Sequence, residues 1–196
     1  MRIIDDEIDV REALALMLRI EGWTAKTYPN ARAFLIEDDV RRPGCLVLDV
    51  RMPLMTGLEL QNEMLRRGLM LPTTFLTGHA AVSSLKRGAV DFLIKPVNDE
   101  ILLESIAAAV HCDFLRRAGV AGGEGVRERL RLLSARELDV LGYFLNGETD
   151  EQVADKLSLS ERTVEGHRAR IYRKFGIHTA KELALLMPDI KAVWQR

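Results

Sequence analysis

The feature that most constrains the fold of this chain is an alternation through its first 117 residues, where short apolar runs give way to helix-patterned stretches. Apolar runs fall at 1–4, 24–28, 45–50, 73–77 and 90–94, all short enough for strands. Between them apolar residues recur at helical spacing over 9–21, 31–37, 58–67, 81–87 and 99–117; the last carries Ile101, Leu102, Ile106, Ala109 and Val110 on one face. Strands alternating with helices in this way predict an α/β unit: a doubly wound, five-stranded parallel sheet covered on both faces. Right-handed crossovers would bring the carboxyl end of every strand to one rim.

Open parallel sheets hold their ligands at that rim. The residues reaching it are Asp5 and Asp6 after the first run, Asp49 at the end of Cys45-Leu46-Val47-Leu48-Asp49, Thr77 after the fourth and Lys95 after the fifth. Taken singly, Asp49 reads as a turn cap, Lys95 as a solvated surface lysine, Phe92 as a core aromatic, and Gly57 and Gly78 as turn residues. Capping does not explain their convergence. Three crowded carboxylates resist ionisation without a counter-charge, and a hard divalent cation such as Mg²⁺, which takes oxygen ligands and keeps several waters, supplies one. Asp49 is then placed to attack a phosphoryl group as a nucleophile. Lys95 would stabilise charge on the transferred oxygens, and Thr77 offers them a hydroxyl.

The rest of the chain has a different character. Residues 118–125, Ala-Gly-Val-Ala-Gly-Gly-Glu-Gly, are glycine-rich and poor in core formers, so residues 118–128 are expected to be a flexible linker between a module at 1–117 and another at 129–196. Beyond the linker only helical signals appear, at 134–145, 149–157, 160–175 and 179–187, with Ser134 and Glu137 spaced as a capping box and Ser160 opening a helix toward Thr163. Charge divides in the same place: residues 1–126 carry 15 basic against 18 acidic side chains, residues 127–196 carry 13 against 11. An acidic front and a basic back suggest modules with different partners. Cys45 and Cys112 share no metal-type spacing with each other or with His79, His111, His167 or His178. No leader and no membrane-length apolar run is visible, which makes the cytoplasm the expected location and excludes a membrane partner.

Within the basic module, 149–157 and 160–175 read as two helices joined by a tight turn, with small Ala154 at the crossing. The second sets Arg162, Arg168, Arg170, Arg173 and Lys174 above an apolar stripe of Val164, Ile171 and Phe175. This is the layout of a helix-turn-helix whose second helix enters the major groove. A solvated basic helix on an interaction domain would show the same pattern.

Family resemblance separates these readings. Asp5-Asp6-Glu7, Leu48-Asp49-Val50-Arg51-Met52-Pro53 through Gly57, Leu76-Thr77-Gly78-His79 and Phe92-Leu93-Ile94-Lys95-Pro96 resemble the flavodoxin-like receiver domain of two-component response regulators, in a form similar to the FixJ branch. The resemblance implies that a sensor histidine kinase phosphorylates Asp49. It also implies that Asp6, Asp49 and the Arg51 backbone carbonyl bind Mg²⁺ directly while Asp5 acts through water, that Thr77 and Phe92 rearrange on phosphorylation, and that the peptide after Lys95 is cis. Leu133 to Leu141 and Ser160 to Ile171, with Arg162-Thr163-Val164-Glu165-Gly166-His167, resemble the LuxR-type helix-turn-helix domain of the NarL/FixJ family, an all-α unit of four helices. That match implies base-facing roles for Glu165, Gly166 and Ala169, and phosphate contacts from Thr163, His167, Arg168, Arg170 and Lys174, with Arg162 also on the DNA side; His167 could equally be a packed helix residue. It makes residues 179–187, with Leu183 and Leu186, the helix that pairs two such domains.

Three departures from the family pattern stand out. The stretch between Thr77 and Lys95 is shorter by about one helical turn. Only four residues precede Asp5, so pairing of an internal first strand is expected to suffer. Asp150-Glu151 stands where the family usually has Asn-Lys, which predicts weaker DNA binding and a greater need for dimerisation. The expected function is a non-enzymatic transcriptional regulator: phosphorylation of Asp49 favours a homodimer that reads half-sites in double-stranded promoter DNA about one turn apart, with RNA polymerase as a further partner. Two competing readings stay open: a phosphorylation-independent DNA-binding regulator with a degenerate receiver, and a phosphatase using Asp49 as nucleophile.

Overall fold

A computed structural model of the chain describes residues 1–78 and 89–194. The expected helix over 81–87 and His79 lie outside the described residues, as does most of the shortened stretch after Thr77. The chain divides into two compact units, Met1–Phe114 and Leu115–Arg196.

The first unit is a five-stranded, all-parallel sheet in the order β2-β1-β3-β4-β5, with β1 at Arg2–Ile4, β2 at Lys26–Tyr28, β3 at Leu46–Asp49, β4 at Thr73–Thr77 and β5 at Ala89–Ile94. The described helices are α1 (Ile8–Ile20), α2 (Ala31–Glu37), α3 (Gly57–Arg66) and α4 (Asp99–Arg117), whose last three residues belong to the second unit. The strands alternate in which face they present. Ile4, Leu46, Leu48 and Phe75 join Phe34, Leu60 and Met64 in one core layer. Ile3, Val47 and Leu76 join Leu14, Leu18, Leu102 and Ile106 in the other. A period of two on strands buried on both faces produces this split.

The short first strand keeps its pairing, contrary to expectation. Arg2, Ile3 and Ile4 are in register with Lys26, Thr27 and Tyr28 on one side and with Leu46, Val47 and Leu48 on the other. A buried arginine is tolerable only when its charge is paired. Arg2 Nε donates to Asp38 Oδ2 at 2.7 Å, and Arg2 Nη2 reaches the Asp39 and Arg42 carbonyls at 3.0 and 2.9 Å.

The second unit is all-helical: α5 (Gly123–Leu132), α6 (Ala135–Leu145), α7 (Asp150–Leu157), α8 (Glu161–Phe175) and α9 (Ala180–Val193). The four expected helices are present, and α5 is additional. Much of the expected linker is therefore helical: Gly123 to Glu128 open α5, and Val126 is wholly buried. At Gly125 an added Cβ would stand 2.1 Å from the Gly119 carbonyl oxygen and 2.7 Å from that of Val120. At this position glycine permits close backbone packing rather than supplying slack. α9 continues past Pro188 to Val193 and buries Ile190 beyond the proline. Leu183 and Leu186 are also buried. They serve the unit's own core, so their side chains do not form an exposed pairing face.

Candidate functional site

The strand order 2-1-3 makes the gap between β1 and β3 the point where successive connections diverge, and an open sheet offers a crevice there beyond its carboxyl ends. Asp5 follows β1 and Asp49 ends β3, so two carboxylates flank that crevice. Both are buried. Lys95, one residue beyond β5, spans them: its Nζ lies 2.8 Å from Asp5 Oδ2 and 2.8 Å from Asp49 Oδ1. Its backbone N–H donates to the Thr77 carbonyl at 2.8 Å, which fixes where its side chain begins. The Lys95–Pro96 peptide is cis, as the resemblance implied.

The loop after β3 holds Asp49 from behind. The Arg51 N–H donates to Asp49 Oδ2 at 2.7 Å, so each oxygen of this carboxylate has a partner. The Gly57 N–H donates to the Val50 carbonyl at 3.0 Å as α3 begins. A Cβ on Gly57 would stand 2.3 Å from the Asp49 carbonyl oxygen, so the helix can approach only with glycine there. Thr56 closes the helix end in a capping box with Glu59.

Burial raises the Asp49 pKa above its ordinary value, and the Asp5 charge adds to that; Lys95 and the Arg51 amide oppose without cancelling it. Burial alone would lower Lys95, but its hydrogen bonds and charge interactions with Asp49 and Asp5 leave it raised. The pair therefore consists of a partly desolvated carboxylate and a firmly protonated ammonium.

Thr77 is buried at the same rim. Phe92 is half-buried and stacked on Phe75, with centroids 4.7 Å apart, so part of the core-aromatic reading applies to it as well. Asp6 is exposed, and the pair gathered by Lys95 is Asp5 with Asp49. Among the described residues no three His, Cys, Asp or Glu side chains form a metal-holding group. Two convergent carboxylates are all-oxygen donors, already held around one cation, the Lys95 ammonium. They suit a hard ion bound through one or two carboxylates and otherwise by water.

On the second unit, α8 begins at an N-cap, Ser160, whose side chain accepts from the Thr163 N–H at 3.2 Å. Val164, Ile171 and Phe175 are buried, while Arg162, Thr163, Glu165, Ala169, Arg170 and Arg173 are exposed. Gly166, His167, Arg168 and Lys174 lie between these extremes. Several expected phosphate contacts have partners within the unit. Lys174 Nζ donates to Glu137 Oε2 at 2.6 Å and to the Leu132 carbonyl at 2.9 Å. Arg170 Nη2 lies 2.8 Å from His167 Nδ1, and its Nε is 3.3 Å from Glu137 Oε1. Burial, then the neighbouring Arg170 charge, lowers the His167 pKa, which favours a neutral ring able to accept from that guanidinium. Arg168 Nη1 is 2.5 Å from Asp150 Oδ2.

Glu137 went unnoticed in this role. Ser134-x-x-Glu137 announces a capping box, which is present. Nothing local announces that the same carboxylate gathers two cations from a helix more than thirty residues on.

Comparison with known proteins agrees with both halves. Residues 1–107 match the response regulator receiver domain family, and residues 131–187 match the luxR family of bacterial regulatory proteins. The chain is 37% identical over 195 residues to the response regulator protein TodT of Pseudomonas putida, covering 96% of this chain and 85% of that one. It is 39% identical over 178 residues to the transcriptional regulatory protein FixJ of Rhizobium meliloti, covering 89% and 87%. The crystal structure of full-length FixJ from B. japonicum superposes with a TM-score of 0.56 at 31% identity, covering 97% of this chain and 96% of that one.

The chain is thus a transcription-regulating protein of the two-component class, built from a receiver and a DNA-binding domain. It belongs to the FixJ/NarL-type response regulators. Among the described residues no helix is long and apolar enough to cross a membrane.

Proposed function

We propose that Asp49 is the phosphoacceptor of this response regulator and that its phosphorylation controls DNA binding by the second unit. The observation that carries this reading is Lys95 Nζ at 2.8 Å from both Asp5 and Asp49, at the sheet's diverging point. The donor is the phosphohistidine of a sensor kinase: an Asp49 oxygen attacks phosphorus, the P–O bond forms as the P–N bond breaks, and the imidazole leaves with the electron pair and takes up a proton. Lys95 moves its charge from Asp49 to the transferred oxygens, and the Thr77 hydroxyl donates to the same group. Asp5, Asp6, Asp49 and the Arg51 carbonyl would hold Mg²⁺, which when bound neutralises charge on the phosphoryl oxygens.

Movement of Thr77 and Phe92 passes the event to the receiver surface, where it favours a homodimer. Two α8 helices then face half-sites of promoter duplex, in the cytoplasm, with RNA polymerase as the further partner. The chain works by binding and not by turnover of a substrate.

The test uses the full chain with a small-molecule phosphoryl donor and Mg²⁺. One added phosphoryl group by intact mass, absent in Asp49→Asn, together with tighter duplex binding, is the expected result. Undiminished uptake by Asp49→Asn overturns the assignment of Asp49. Uptake that leaves both dimerisation and DNA affinity unchanged points to regulation independent of phosphorylation.

A further inference from the structure

We propose that Asp150 acts as an internal stand-in for a DNA phosphate, holding Arg168 so that the backbone of a duplex must displace a carboxylate before this arginine can bind it. The inference rests on the DNA-binding reading of α8 and concerns how strongly that helix binds. Of the cations on α8, Lys174 and Arg170 are tied to Glu137, which is 3% exposed and completes the cap of α6. Those ties belong to the unit's interior. The Arg168 pairing is of another kind.

Arg168 lies 2.5 Å from Asp150 with its side chain 36% exposed, and the Asp150 side chain is 19% exposed. The pair opens onto a concavity of about 570 Å³ whose lining includes Glu148, Asp150, Glu151 and Glu161 beside Arg168 and Tyr172. Asp150 is the carboxylate paired with this guanidinium, and the concavity beside it is lined by three further acidic residues. Asp150 is also the first residue of α7, capped by Thr149, where the positive end of the helix dipole favours its negative charge. The same dipole would otherwise favour an approaching phosphate.

An ion pair this open to water is weak enough for a polyanion to break. Breaking it removes part of the gain from each contact Arg168 makes. Freeing Arg168 should therefore raise affinity for any DNA sequence, because phosphate contacts carry no base information. It should also add about 0.9 to the slope of log affinity against log salt, the release expected for one further phosphate neutralised.

The experiment measures binding of the full chain to a mixed-sequence duplex across a salt series. Asp150→Asn is expected to bind about fivefold tighter at low salt, with a slope steeper by about one. Glu151→Gln removes the same formal charge from the next residue and is expected to change affinity less than about twofold, with no change in slope. Arg168→Gln should lose more affinity in the Asp150→Asn background than in the unaltered chain.

Equal effects from Asp150→Asn and Glu151→Gln overturn the proposal, since they reduce it to general repulsion. So does an Asp150→Asn chain that binds and responds to salt like the unaltered one. Asp150→Ser, which suits a helix start and has no charge, gives the same readout if the asparagine variant does not fold. Absence of salt-dependent binding by every chain would instead overturn the DNA-binding reading and the inference with it.

Discussion

Glu137, 3% exposed, completes the Ser134 capping box and accepts from the Lys174 ammonium at 2.6 Å. Burial alone would raise its pKa; hydrogen bonds from Lys174 and Ser134 and the Lys174 charge overcome that and hold it at about 2, against an ordinary 4.5. A carboxylate lowered by folding adds stability that is complete above its ordinary value and is lost as pH falls toward the folded value. Glu137→Gln is therefore expected to cost the second unit about 2 kcal/mol near neutral pH. Urea unfolding near pH 7 and near pH 2.5 checks this, because the gap between variant and parent should narrow on acidification; a gap that stays constant contradicts it. Gly57 makes a second prediction at this scale. Alanine there places Cβ 2.3 Å from the Asp49 carbonyl oxygen, so the β3 end or the start of α3 must move, at a cost of about 1–3 kcal/mol. Phosphoryl uptake should fall with stability in Gly57→Ala. The sequence marks both residues, Glu137 by its cap spacing and Gly57 by its place in the loop. It does not show what stands across from them, because Lys174 and the Asp49 carbonyl are set by packing between elements.

At the scale of elements, strand and helix periodicity locates β1 to β5 and the helices at 8–20, 31–37, 57–66 and 99–117 to within a few residues, since each buries a regular face. Two readings failed because the sequence does not show what an element packs against. The first strand looked too short to pair because only four residues precede Asp5, yet Arg2, Ile3 and Ile4 pair on both sides and Asp38 neutralises the buried arginine. Residues 118–128 looked like a linker because glycine signals both freedom and close approach. Those two roles give opposite signs on substitution. In a flexible segment Gly125→Ala stabilises by up to about 1 kcal/mol, through a less mobile unfolded chain. Here its Cβ would meet the Gly119 carbonyl oxygen at 2.1 Å and that of Val120 at 2.7 Å, so a loss of about 1–3 kcal/mol is expected. Thermal unfolding of the full chain gives the sign directly, and a higher melting temperature would restore the linker.

The whole molecule joins two units with separate cores and unlike charge: the sheet and its acidic rim in Met1–Phe114, the basic α8 helix in Leu115–Arg196. The sequence shows this division through its charge balance and its change from α/β to all-helical patterning. It leaves out which acids share a cation, since Asp5 and Asp6 are adjacent in sequence and Asp5 is the one Lys95 takes up. A ligand that binds the native form of one unit stabilises that unit by an amount set by its concentration over Kd, about 2.7 kcal/mol at a hundredfold excess. If the rim holds Mg²⁺ through Asp5, Asp6 and Asp49, the ion should raise the unfolding transition of the first unit and leave that of the second in place. A mixed-sequence duplex should do the reverse, more weakly as salt rises. Differential scanning calorimetry of the full chain, with Mg²⁺ added and then removed by a chelator, resolves the two effects. In Asp49→Asn the Mg²⁺ shift should shrink while the duplex shift persists, because Asp49 contributes to one ligand site and not to the other. A Mg²⁺ shift undiminished in that variant would remove the ion from Asp49, and one that moved both transitions equally would remove the independence of the units.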